Sequence, residues 1–201
     1  MKICYNISTD MRKFFLAIFI IIVIASAATS VGYLLYKKYP NSFNFKDYDA
    51  SCVVKEKDIV QGESLSGLVE NGQEITLLKN YYNCNPINRG DVVAYNYSKN
   101  PNPIIKIVKA LPGDSFEFRK KENSSSYYII INNEIAENSN GDFYELTEAR
   151  TKMLSLYIKD YNGIIPENTL IILGNQPGGS MDSTKFGLAS QKNIIGKVEI
   201  K

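Results

Sequence analysis

"NPIIKIVKALPGD", residues 102–114, places two lysines in a run rich in isoleucine and valine that ends at a Pro-Gly turn. Such β-branched composition predicts a strand. Because side chains alternate across a strand, Lys106 and Val108 share one face and Lys109 lies on the other. A lysine in this setting is most often an edge-strand residue that prevents aggregation. Burial disfavours the ammonium form, however, so the same pattern also suits a lysine that acts as a base.

Runs of similar composition occur on both sides of this strand, and Gly, Asn and Pro interrupt them. They span residues 74–82, 91–98, 115–120, 126–135, 169–174 and 194–200. Asn132-Asn133 lies within one of them and predicts a tight hairpin turn. Short strands with frequent turn signals predict a mainly β fold, either an antiparallel β-barrel or a sandwich.

One segment, "TEARTKMLSLYIKDYNG" at 147–163, has helical rather than strand periodicity. Ala149, Met153, Leu156, Tyr157 and Tyr161 recur at helical spacing, which predicts one short additional helix with these residues as its packing face. Its first residue is a threonine, a common N-cap, and its last is a glycine, a common stop signal.

The N-terminal part differs sharply from the rest, because residues 14–36 contain no charged side chain. About 20 apolar residues cross a bilayer, so this run predicts a transmembrane helix. A cleaved secretory signal is the alternative, since "ASA" at 25–27 resembles a cleavage site, but its apolar core would be shorter. A slight excess of basic residues before the run favours an N-terminus in the cytoplasm.

The predicted organisation therefore has four parts: a cytoplasmic N-terminus (1–13), a signal anchor (14–36), a juxtamembrane linker (37–50) and an extracytoplasmic β-rich domain (51–201). The cell membrane is the expected location. The 201-residue chain has 23 basic and 21 acidic side chains, a net charge of +2. No stripe of Lys and Arg stands out, so a nucleic-acid partner is not expected.

Three cysteines bear on the chemistry and the compartment. Cys4 would face the cytoplasm, whereas Cys52 and Cys84 would share an oxidising compartment, where they are either a disulfide or two buried free thiols. Three separated cysteines without any histidine match no zinc-ligand spacing, so no metal site is expected.

The absence of histidine also excludes the Ser-His-Asp and Cys-His mechanisms in this chain. Two serines, Ser64 and Ser66, lie in the glycine-containing stretch "VQGESLSGLVENGQ" at 60–73. If either serine is a nucleophile, a lysine must take its proton. Free lysine is protonated at neutral pH, so the base must be desolvated, and Lys106 is the candidate.

Four segments in this order resemble the signal peptidase I family of membrane-anchored Ser-Lys endopeptidases. They are "GESL" (62–65), "NRGDVVAY" (88–95), "KIVKALPGD" (106–114) and "LGNQPGGSMDSTKFG" (173–187). The resemblance implies an antiparallel β catalytic domain behind an N-terminal anchor. It also implies that the enzyme removes signal peptides from exported precursors without any cofactor.

The resemblance assigns roles to particular residues. Ser64 matches the nucleophile and Lys106 the general base. Gly62 lies where some members carry an oxyanion-stabilising hydroxyl, which implies a main-chain contribution here. Ser180 is expected to bond the lysine amine, and Asp182 to brace the loop that carries Ser180. In this register Ser66 is the less favoured nucleophile.

The expected substrates are signal peptides with small residues before the cut, as in Ala-x-Ala, presented at the lipid bilayer. Shallow apolar pockets would select such residues, and Leu65, Leu68 and Ile105 are the candidate pocket walls. The substrate is expected to bind as an added strand on the segment that carries Ser64 and on the one near Lys106.

The sequence also departs from the family pattern. Ile107 and Thr184 stand where the pattern has arginines, so Asp182 loses its expected cationic partners. Lys185 or Lys109 is expected to replace them.

Two alternatives remain open from the sequence. The loop at 175–178 is altered, because Asn175, Gln176 and Pro177 stand where the family pattern has Asp-Asn-Arg. This loop favours an inactive, membrane-tethered domain that binds peptides, whereas retention of Ser64 and Lys106 favours an enzyme. A Ser-Lys peptidase dedicated to one conjugation or pilus substrate is the other alternative.

Overall fold

The computed structural model describes residues 48–98 and 102–200. The predicted anchor at 14–36, the segment at 1–13 and most of the linker at 37–50 lie outside these residues. Within the described part, none of the helices has the length and apolar character that crossing a bilayer requires.

Eleven strands and two helices make up the regular structure of the described residues. In chain order they are β1 Val54–Ile59, β2 Glu74–Lys79, β3 Val92–Tyr95, β4 Ile104–Ala110, β5 Phe116–Lys120, β6 Ser126–Ile131, β7 Glu134–Ile135, β8 Glu145–Thr147, α1 Glu148–Asp160, β9 Thr169–Leu173, α2 Ser183–Phe186, β10 Ala189–Ser190 and β11 Ile194–Ile200. Two 3₁₀ turns cover Tyr81–Asn83 and Gln191–Asn193.

The strands form two antiparallel sheets. The larger has the order β1-β2-β11-β3-β4-β9-β10, and the smaller has the order β5-β6-β7 with β8 also paired to β6. The prediction of a mainly antiparallel β fold is confirmed. The hairpin prediction is confirmed too, because Ile131 pairs with Glu134 across Asn132 and Asn133, whose φ angles are 51° and 65°.

Apolar side chains fill both faces of the larger sheet. One cluster joins β2, β3, β4 and β11 to the turn after β1 through Leu77, Val92, Ile107, Val198 and Leu65. A second cluster lies between the smaller sheet, α1 and β9 and includes Ile129, Leu146, Leu154 and Leu173. Strand β4 therefore runs through the interior, where Lys106 is only 2% exposed.

The predicted helix is present, but its predicted packing face is wrong except at Tyr157, which packs against the core. Met153, Leu156 and Tyr161 are exposed, at 37%, 58% and 46%. Leu154, which is fully buried, and Thr151 face the protein instead. Tyr157 and Ile158 pack partly against the same cluster, whereas the other apolar residues of the predicted stripe remain in solvent.

Candidate active site

The Ser64 turn follows β1 and is held by backbone conformation and by one buried anchor. Gly62 has a φ of +92°, a left-handed value that glycine adopts without steric cost. Leu65 is 1% exposed, and its carbonyl oxygen accepts hydrogen bonds from Leu68 N and Val69 N at 2.9 and 3.0 Å. Burial of Leu65 therefore fixes the turn and leaves the neighbouring Ser64 half-buried.

Lys106 reaches this turn from β4. Its Nζ donates to Ser64 Oγ and to the Ile105 carbonyl oxygen, each at 2.7 Å. Removal from water lowers the pKa of Lys106 from 10.5 to about 8, while the Asp182 carboxylate acts in the opposite direction. A substantial fraction of such an amine is neutral slightly above neutral pH, and a neutral amine can accept a proton.

The second lysine of β4 has a different environment. Lys109 Nζ donates to the Glu137 carbonyl oxygen at 2.6 Å and lies 5.5 Å from the centre of the Tyr144 ring. Burial also lowers the pKa of Lys109 to about 8. Ser64 is thus contacted by Lys106 and not by Lys109, as the alternation of the strand predicted.

Asp182 lies at the start of α2 and is fully buried. Its Oδ2 accepts from Ser180 N, Ser180 Oγ and Gly174 N at 2.9, 2.7 and 3.1 Å. Its Oδ1 accepts from Thr184 N and Thr184 Oγ1 at 3.0 and 2.7 Å. These five bonds tie the loop after β9 to the end of that strand.

Ser180 lies in the predicted loop, but its hydroxyl donates to Asp182 and not to the lysine amine.

Gly174 is the point where the Ser180 loop meets the Ser64 turn. A Cβ atom there would collide with Ser180 Oγ and would lie 2.7 Å from the Ser64 carbonyl oxygen. Sequence reasoning missed Gly174, although it precedes the altered loop directly.

The altered loop itself is bonded to the Ser64 turn. Asn175 N donates to Ser64 O at 2.7 Å, and Asn175 Nδ2 donates to Ser66 O at 2.9 Å. Gln176 Nε2 donates to Glu63 O at 3.0 Å. Asn175 is 2% exposed, so its two bonds are largely shielded from water, whereas the Gln176 bond lies at the surface.

The predicted cationic partners of Asp182 were Lys185 and Lys109, and the structure shows neither in that role. Lys109 is bonded to Glu137 O. Among residues 48–98 and 102–200 no ion pair forms on Asp182. Its charge acts on the Lys106 amine, and a second cation, Arg150 of α1, donates to Ser180 O and Thr184 Oγ1. Sequence reasoning missed Arg150 because the helix was interpreted only as a packing element.

A cavity of about 270 Å³ opens beside Ser64 and Lys106. Its other lining residues include Ile105 and the apolar side chains Ile59, Ile75, Leu77, Ala94 and Val198, which come from strands β1, β2, β3 and β11. Of the three predicted wall residues, Ile105 lines this cavity. Leu65 and Leu68 instead belong to the apolar cluster beneath the turn.

The family model described as "Signal peptidase, peptidase S26" matches residues 50–201, which contain all of these site residues. The chain belongs to this family.

Signal peptidase relatives are distant in sequence. Signal peptidase IB of Staphylococcus aureus (strain COL) is 23% identical over 152 residues, which cover 71% of this chain and 74% of that protein. A protein of the same strain named inactive signal peptidase IA is 27% identical over 151 residues, covering 71% and 76%. The crystal structure of a signal peptidase I from Enterococcus faecalis V583 matches with 22% identity and a TM-score of 0.39, over 56% of this chain and 97% of that one.

Proposed function

We propose that this chain is a membrane-anchored serine endopeptidase that removes signal peptides from exported precursors. Ser64 is the nucleophile and Lys106 the general base. The observation that carries the proposal is the 2.7 Å hydrogen bond between Lys106 Nζ and Ser64 Oγ, made by an amine that is almost completely buried. A nucleophile and its base within hydrogen-bond reach are the requirement for covalent catalysis.

In the proposed reaction, neutral Lys106 takes the proton of the Ser64 hydroxyl while Oγ bonds to the scissile carbonyl carbon. The carbon–nitrogen bond then breaks, and the lysine ammonium returns the proton to the leaving amine. Water hydrolyses the resulting ester by the same proton transfers. The backbone N–H of Ser64 donates to the oxyanion, and Gly62 provides no side-chain donor there.

Asp182 and Ser180 support this chemistry indirectly. Asp182 fixes the loop beside the dyad, and its negative charge opposes complete loss of the Lys106 proton. Ser180 is held in the same loop by the hydrogen bond that its hydroxyl donates to Asp182. Both are therefore proposed as positioning residues and not as proton carriers.

The proposed substrate has small residues before the cut, as in Ala-x-Ala, and binds in the cavity of about 270 Å³ beside Ser64, where Ile105, Ala94 and Val198 offer apolar contacts. Strand β1 contributes to this cavity and lies at the end of the larger sheet. An extended peptide can therefore be added beside it through main-chain hydrogen bonds.

The proposed location is the cell membrane, with the anchor at 14–36 and the peptidase domain outside the cytoplasm. Cys52 and Cys84 support this topology, because they form a disulfide, with Cα atoms 6.2 Å apart. Disulfides persist in oxidising compartments and are rare in the cytosol.

An inactive peptide-binding domain is the second candidate, and the name of the relative that is 27% identical favours it. The two candidates are separated by incubating the full chain in detergent with a precursor that contains an Ala-x-Ala site, without added metal. We expect cleavage by the parent protein and by Ser66→Ala, a matched change in the same turn. Ser64→Ala and Lys106→Met should not cleave.

A labelled Ala-x-Ala peptide should still bind to Ser64→Ala. Binding by the parent protein without cleavage would establish the inactive candidate. We also expect kcat/KM to fall as the pH drops below about 8, because Lys106 then becomes protonated. Full activity in Lys106→Met would refute the dyad.

A further inference from the structure

Asp182 is unusual because it is a completely buried carboxylate whose five bonded donors are all uncharged. In residues 48–98 and 102–200 it forms no ion pair. Buried carboxylates are normally paired with a cation as well as hydrogen-bonded, because burial of an isolated charge is costly.

Arg150 does not bond Asp182 directly but bonds two residues that Asp182 holds. This partly buried residue of α1 donates through Nη1 to the Ser180 carbonyl oxygen and, at 3.1 Å, to Thr184 Oγ1. Thr184 Oγ1 in turn donates to Asp182 Oδ1 at 2.7 Å. The guanidinium therefore contacts both ends of the loop segment that Asp182 holds from the inside.

Gly179 makes room for this contact. A Cβ atom at this glycine would lie 3.1 Å from Arg150 Nη1 and 3.0 Å from Thr184 Oγ1. Its φ of +83° also favours glycine. The loop is thus shaped to receive a side chain from the helix.

We propose that Arg150 is a positioning residue of the Ser64–Lys106 site, which clamps the 180–184 loop and places a positive charge behind Asp182. This inference rests on the proposed function, because the site that it positions is the proposed dyad. It assigns a role in the site to helix α1, which packs on the smaller sheet and against α2.

The sign of the electrostatic effect follows from the groups around Lys106. Asp182 is the charge that raises the pKa of Lys106 against the desolvation effect. Asp58 lines the same cavity but is exposed, and the Tyr144 hydroxyl donates to Gly174 O at 2.6 Å. Arg150 offsets part of the Asp182 field. Neutralising Arg150 therefore favours the lysine ammonium, and proton abstraction then requires a higher pH.

The test compares Arg150→Gln, which is neutral and keeps a donor, with Arg150→Lys, which keeps the charge. Lys152→Gln removes an exposed cation from the same helix and is the control. For Arg150→Gln we expect the acid limb of the kcat/KM profile to move up by about half a pH unit, with about a tenfold lower rate near pH 7. Arg150→Lys should restore the position of the limb, and Lys152→Gln should match the parent protein.

A second measurement does not need substrate. In protein labelled with ¹³C at lysine Cε, the NMR signal that disappears in Lys106→Met reports the titration of Lys106. Its midpoint should rise in Arg150→Gln and not in Arg150→Lys or Lys152→Gln.

An unchanged midpoint in folded Arg150→Gln overturns the inference, even if its cleavage rate falls, since the role is then only structural. Equal midpoints in the Gln and Lys variants, both raised, also overturn it. If the midpoint moves as expected but the parent protein cleaves no precursor, the proposed function fails and the electrostatic role of Arg150 stands.

Discussion

Replacing Lys106 by methionine should remove a pH-dependent destabilisation of the folded protein. Burial lowers the pKa of Lys106 from 10.5 to about 8 in the folded state, whereas an unfolded chain restores the ordinary value. Between these two values the unfolded state binds more protons than the folded state. The free energy of unfolding contributed by this residue therefore rises with pH across this window and is lost as the pH falls towards 8.

The magnitude follows from the difference between the two pKa values. A fall from 10.5 to about 8 corresponds to roughly 3 kcal/mol, at about 1.4 kcal/mol per pKa unit. About 2 kcal/mol of this difference develops between about pH 7 and pH 9.5. Methionine also loses the bonds to Ser64 Oγ and Ile105 O, worth about 1 kcal/mol each, and this loss shifts the whole curve with little dependence on pH.

The assay is urea unfolding of the parent protein and Lys106→Met at matched pH values. The free energy of unfolding of the parent minus that of the variant should increase by about 2 kcal/mol from about pH 7 to pH 9.5. Lys109, whose pKa burial also lowers, is present in both proteins and cancels in this difference. A difference that is flat over this range would mean that Lys106 is not desolvated, and the argument for a neutral base would fail with it.

Two further outcomes are expected. Gly174→Ala should lower kcat by about 10²-fold, because the added Cβ atom would push Ser180 away from the Ser64 turn. Gly178→Ala is the control, since the space around its added atom is open, and it should cleave at nearly the parent rate. Equal rates in the two variants would show that the close approach has no effect on catalysis. Removing the Cys52–Cys84 disulfide by a double alanine change should lower the free energy of unfolding by about 3–4 kcal/mol for a separation of 32 residues. Unfolding in urea measures this loss, and more than one reactive thiol in the denatured, unreduced parent would contradict the bond.

The strands rich in isoleucine, valine and tyrosine were predictable because their composition and turn signals agree. Strand β1, Val54–Ile59, was not predicted. Its sequence "VKEKDI" has four charged residues, and all six residues are exposed. Such a strand buries no apolar face of its own. It is specified by its pairing with β2, a long-range interaction that local composition does not encode.

Helix α1 shows a second limit of the sequence pattern. Its existence followed from periodicity and termination signals, but its buried face did not. Leu154, which is fully buried, was absent from the predicted stripe, whereas Leu156 belonged to it and is 58% exposed. Periodicity alone does not identify which apolar residues meet a partner, because that depends on how the helix crosses the smaller sheet.

In the candidate site, the absence of histidine indicated a lysine base, and the resemblance to the signal peptidase I family selected Ser64 and Lys106. The distance between them needed the structure, since β4 and the turn are 42 residues apart in sequence. Arg150 could not be proposed in this way. Its contacts with Ser180 and Thr184 depend on the packing of α1 against the loop, and no local sequence motif predicts them.

The loop after β9, which departs most from the family pattern, bears on whether the chain is active. An aspartate at position 175 would present only acceptors to the Ser66 carbonyl oxygen, whereas the Asn175 amide donates to it. Gln176 likewise donates to Glu63 O. The residues that differ from the pattern thus bind the main chain on both sides of Ser64. These bonds hold the main chain around a serine whose hydroxyl contacts a buried lysine. The departure at 175–176 therefore supports an alternative way of holding the nucleophile in place, and it weakens the sequence argument for an inactive domain.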